Sequence, residues 1–65
     1  MPAQLSPLQR QIATALWNGA ETAELSRRFS RSAYTIENQI AAVLRAFGVE
    51  TKRELTDEAR RRGLV

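Results

Sequence analysis

Two helical apolar stripes, separated by only three residues, constrain this chain more than any other feature. Between Ala33 and Phe47, the side chains of Ile36, Ile40, Val43, Leu44 and Phe47 recur at offsets of three and four. That spacing makes one apolar face on a helix and leaves the opposite face polar. Ser32 precedes the stripe as an N-cap, able to accept from the unpaired N–H groups of the first turn. Gly48 follows it, where a left-handed residue closes a helix. Ala23 to Phe29 repeats the pattern in miniature: Leu25 and Phe29 stand four apart, and Ser26 is small enough to allow close approach. Ser30, Arg31 and Ser32 are all that lie between. A turn this short makes the helices cross steeply, so the first holds the second while the polar face of the second stays exposed. Such a face can enter a groove.

At 65 residues the chain is expected to form a single domain over 1–65. A chain of this size buries only about 60% of the surface its unfolded form exposes, so its stability margin is thin. It contains neither cysteine nor histidine, so no disulfide or thiolate zinc site supports the core and no metal or other cofactor is expected. No side-chain nucleophile stands beside a base and no glycine-rich phosphate loop is present, which argues against an enzyme. A membrane span and a signal peptide are both absent from the pattern, so a cytoplasmic location is expected. Ten Lys and Arg against seven Asp and Glu leave a net charge of +3. Nine of the ten basic residues are Arg, the side chain suited to bidentate recognition of phosphate or carboxylate. Arg27, Arg28, Arg31 and Arg45 fall between Thr22 and Phe47, against Glu24 and Glu37. A solvated face accounts for these arginines as readily as a phosphate-binding one does.

Two further helices flank the central pair. Residues 1–5 are expected to be loose unless Leu5 docks. Ser6, Pro7 and Gln9 then form a compact start signal, with Ser at the N-cap, Pro at the first position and Gln placed for the reciprocal hydrogen bond. Leu8, Ile12, Ala15 and Leu16 share one face of this first helix, Arg10, Gln11 and Thr14 look outward, and Asn18-Gly19 ends it. Trp17 lies beside the apolar face, where it either caps the core half-buried or anchors a protein partner. Near the other end, Thr51 with Glu54 makes a second capping box. Leu55 and Ala59 face inward from the fourth helix, Gly63 ends it, and Leu64 is placed to pack back. Arg60, Arg61 and Arg62 lie where a helix C-terminus favours cations. The expected fold class is all-α: four helices, short loops and no sheet.

Leu5-Ser6, Gly19, Glu24-Leu25-Ser26-Arg27-Arg28-Phe29, Ser32 with Thr35-Ile36, and Phe47-Gly48-Val49 with Leu55 resemble the LuxR-type, or GerE-like, helix-turn-helix domain. The resemblance runs from Leu5 to Leu64. It implies a four-helix DNA-binding unit of bacterial transcription regulators, with residues 22–47 as the helix-turn-helix core. In that family the third helix enters the major groove and the fourth often forms the dimer contact. The family's DNA-facing positions on that third helix fall here on Tyr34, Glu37, Asn38, Ala41 and Arg45. Asn38 is the foremost candidate for a base edge, since its amide can pair with N6 and N7 of adenine. Arg45 is placed for a phosphate. Thr35, in the first turn, can meet a phosphate or stabilise its own helix start. Arg27, Arg28, Arg31 and Lys52 are the flanking phosphate candidates, and Thr56, Asp57 and Arg60 the dimer-contact candidates.

The chain also departs from the family pattern. Glu37 stands where lysine is frequent; it repels phosphate but can accept from a cytosine amino group. Arg31 replaces a small aliphatic plug in the turn, Gln39 a common histidine, and Glu21 a capping serine, so that the second helix is expected to start at Thr22. Two functions follow. The first is sequence-specific binding of double-stranded DNA by a homodimer. The second is a protein-interaction module that keeps the fold and binds another regulator; Met1-Pro2 at the start, the small net charge, Glu37 and Trp17 motivate it.

Overall fold

The computed structural model describes residues 5–65, and three of its four helices start at a side-chain cap readable in the sequence. Helix α1 spans Pro7–Trp17, α2 Thr22–Phe29, α3 Ala33–Phe47 and α4 Lys52–Arg61, with no strand among the described residues. At α1 the Ser6 hydroxyl accepts from Gln9 N–H at 3.1 Å while the Gln9 side chain accepts from Ser6 N–H at 2.9 Å. Thr51 and Glu54 make the same reciprocal pair at α4, and Ser32 caps α3. Glu21 offers α2 no side-chain cap, in line with a helix that begins only at Thr22.

The four C-terminal ends share one device. The backbone N–H two or three residues past each helix reaches back to a carbonyl five positions earlier: Ala20 to Ala15, Arg31 to Ser26, Val49 to Leu44 and Leu64 to Ala59, at 2.8–3.1 Å. A second, inner bond accompanies each of them, and together they satisfy carbonyls that a helix end otherwise leaves bare. The motif requires one left-handed residue. Glycine fills that place after α1, α3 and α4, but after α2 it is Ser30, with φ 55° and ψ 45°.

A side chain in the left-handed region costs roughly 1–2 kcal/mol, and glycine's extra freedom in the unfolded chain returns about half of that. Ser30→Gly is therefore expected to stabilise the fold by roughly 0.5–1 kcal/mol, read as a melting temperature about 2–8 °C higher for a chain of this size. A melting temperature equal to or below that of the parent would show Ser30 to be unstrained.

The core gathers Ile12, Ala13, Ala15 and Leu16 from α1, Leu25 from α2, Ile36, Ile40 and Val43 from α3, and Leu55 and Ala59 from α4. Helix α3 packs against all three of the others, so it is held from several sides. Leu5, Leu8, Phe29, Leu44, Phe47 and Val49 close the rim, and Leu5 thus docks on the core; the remainder of the stretch expected to be loose, residues 1–4, lies outside the described residues. Among the described residues no polar or charged side chain is buried. Instead, polar ties bridge helices at the surface: Gln9 Nε2 donates to Gln39 Oε1 at 3.0 Å, joining α1 to α3.

One expectation needs correcting, one buried residue was not anticipated, and one alternative is resolved. Leu64 does not pack back; its side chain is 50% exposed, and only its N–H serves the end of α4. Ala13 is fully buried although it lies off the apolar stripe of α1, because α1 is covered by α3 on one side and by α4 on another. Trp17 is half-buried against the core, its ring edge-on to Phe47 with centroids 5.9 Å apart.

Candidate nucleic-acid interface

Because Ile36, Ile40 and Val43 turn inward, the opposite side of α3 is left to solvent. Tyr34, Glu37, Asn38, Ala41 and Arg45 all lie on it, exposed, at helical spacings of three, four and seven. Tyr34, 78% exposed, marks its start, and Arg45 stands near its end. The structure thus brings together on one strip every α3 residue singled out for base contact, together with Arg45.

Around the first turn of α3 the hydroxyls are arranged in a chain. Ser32 Oγ accepts from Thr35 N–H and donates to Thr35 Oγ1, both at 3.1 Å. Thr35 is half-buried in this cap, so its role as a stabiliser of the helix start is realised in the fold. Its own hydroxyl hydrogen is still available to an acceptor outside. Ser26 Oγ donates to the Arg31 carbonyl at 2.5 Å and braces the turn between the two helices. Arg31 is exposed in that turn, so no apolar plug fills its place.

The flanking cations divide into paired and unpaired ones. Arg28 is engaged by Glu24 one turn earlier at 2.5 Å, while Arg27, Arg31 and Arg45 make no ion pair among the described residues. Lys52, at the start of α4, comes to the same edge as the start of α2. Its Nζ lies 3.4 Å from Thr22 Oγ1, and that hydroxyl donates to Glu37 Oε2 at 2.7 Å. Glu37 is therefore tied to α2 rather than swinging freely. Thr22 is the residue that reading the sequence missed. A contact between side chains 15 positions apart on different helices leaves no periodic trace.

The far end of the molecule is built differently. Arg62 stacks its guanidinium 4.8 Å over the Phe47 ring and bonds Glu58 at 2.8 Å, Arg61 also pairs with Glu58, and Arg60 meets Asp57 at 3.4 Å. All three arginines are thus paired with two carboxylates of their own helix, Asp57 and Glu58, which offset two of the three charges. Hydrogen bonds from Arg61 first, and then from Arg62, hold the Glu58 carboxyl below the ordinary glutamate range. With the folded value depressed, the small stabilisation from these pairs is present above the unfolded glutamate pKa and fades as pH falls through the folded one. Of the dimer-contact candidates, Thr56 bonds the Lys52 carbonyl of its own helix, and Asp57 and Arg60 are exposed partners of one another.

Among the described residues no group of acidic side chains is placed to hold a metal ion, and no helix is long and apolar enough to cross a membrane. A surface depression between α1 and α2, lined by Arg10, Thr14, Asn18, Arg28 and Phe29, contains no candidate but Arg28. No protein-family model matches this chain, and no curated protein or solved structure matches it either.

Proposed function

We propose that this chain is a helix-turn-helix domain of the LuxR, or GerE-like, type that binds double-stranded DNA with sequence preference, as a homodimer, in bacterial transcriptional control. The observation that carries the reading is the strip on α3. A fully packed helix presents Tyr34, Glu37, Asn38, Ala41 and Arg45 to solvent, next to a helix N-terminus and the unpaired Arg27 and Arg31. An α-helix of this kind fits the width of the major groove, where an exposed amide such as Asn38 can read a base edge and cations can fix position on the backbone. Cytoplasmic location follows from that role.

Binding through Arg27, Arg31, Arg45 and Lys52 is expected to release about four counterions per protomer, giving a slope near −3 to −4 in log K against log salt. Selection of bound sequences from a random pool at low salt, followed by titration across a salt series, measures both preference and slope. A chain that retains no duplex at 50 mM salt would refute the proposal. The alternative, a module that binds another regulator, draws on Glu37 and the small net charge. Trp17 lends it no support, since the indole is packed against Phe47.

A further inference from the structure

We infer that Glu37 is a specificity residue that reads cytosine, set in place by Thr22 of α2 with Lys52 of α4 beside it. This inference rests on the DNA-binding reading above. A glutamate on a face that approaches phosphates is ordinarily a liability: it carries like charge, and three rotatable bonds let it point anywhere. Here both problems are met. Thr22 Oγ1 donates to Glu37 Oε2 at 2.7 Å, which fixes the carboxylate, and Lys52 Nζ stands 3.4 Å from the same hydroxyl, which brings a positive charge one group away.

The Thr22 hydroxyl is not consumed in capping its own helix, where no side-chain cap exists. The other carboxylate oxygen, Oε1, makes no hydrogen bond among the described residues and lies on the exposed strip. It is a held acceptor with no donor. Base edges in the major groove offer donors at cytosine N4 and adenine N6, but adenine places the N7 acceptor beside its donor, against which an acceptor-only carboxylate is repelled. Cytosine is the base that such a group favours. Specificity would then reside in the junction of three helices rather than in α3 alone.

The test is a panel of duplexes in which each base pair of the selected half-site is replaced in turn, titrated with the intact chain and its variants. One cytosine is expected whose replacement weakens the parent by roughly 5- to 150-fold, the range of one good base contact. Glu37→Gln is expected to move the preference at that position toward adenine, since an amide supplies both donor and acceptor. Thr22→Val is expected to reduce the cytosine preference severalfold more than it reduces affinity for random DNA, and Thr22→Ser, which keeps the hydroxyl, to restore it.

A half-site in which no cytosine is sensed more strongly by the parent than by Glu37→Gln overturns the inference while leaving DNA binding intact. Full cytosine preference in Thr22→Val overturns the positioning role. A parent chain that binds no duplex removes the proposed function, and this inference with it.

Discussion

Ile36→Ala is expected to abolish half or more of the folding free energy of this chain. Ile36 is fully buried on a helix that packs against all three others, so neighbouring side chains have little freedom to collapse into the space left behind. Truncating a buried isoleucine to alanine costs about 2–5 kcal/mol, with the upper end applying where a cavity persists. A domain of this length has roughly 3–10 kcal/mol in total, and this one contains no disulfide to add to it. Thermal melts followed by far-ultraviolet circular dichroism would show a broad or missing transition for Ile36→Ala. Ile36→Val, which removes one methylene, should lose only about 0.5–1.5 kcal/mol. A melting temperature for the alanine variant within a few degrees of the parent would mean that α3 is not the packed centre described here.

On the proposed interface, Asn38→Ala and Arg45→Ala are expected to fail in different ways. Asn38 is exposed mid-strip, and losing one bidentate base contact should cost about 1–3 kcal/mol on the cognate site and almost nothing on random sequence. Arg45, a lone cation at the end of the strip, should weaken binding to every sequence alike and reduce the salt slope by about one. Footprinting titrations of both variants on cognate and random duplexes separate these outcomes. Equal losses by both proteins on both templates would dismiss the assignment of base reading to Asn38 and phosphate contact to Arg45.

Local chemistry explains which parts of this fold were legible in the sequence. Ser6 with Gln9, and Thr51 with Glu54, are capping pairs three residues apart, so both helix starts could be read from short strings. The apolar stripe of α3 was equally plain, because Ile36, Ile40 and Val43 repeat at the helical period and all three are buried. Ser30 was not legible: serine seldom takes a left-handed conformation, and only the bonds from Ser30 and Arg31 back into α2 reveal it. Nor was the burial of Ala13, whose small side chain gives no signal of a second contact face. The arginine triplet was placed correctly at the end of α4, but its pairing with Asp57 and Glu58, and the stacking of Arg62 on Phe47, depend on rotamers that spacing does not specify.

The same limit applies to the candidate site. Periodicity gave a polar side to α3 once the buried side was read, whereas the particular positions Tyr34, Glu37, Asn38, Ala41 and Arg45 were named from the resemblance to the LuxR-type domain. The ties from Gln9 to Gln39 and from Thr22 to Glu37 cross between helices, and only the assembled structure shows them.

The pairing of Trp17 with Phe47 has a practical consequence. The chain carries one tryptophan and one tyrosine, and they occupy opposite ends of α3: the indole rests against its last residue, while Tyr34 projects from its first turn. A helix rising about 1.5 Å per residue separates those ends by roughly 20 Å. Indole fluorescence should therefore shift to the red when the helices come apart, and phenol emission should respond to whatever settles on the other end, giving two optical reporters without any added label.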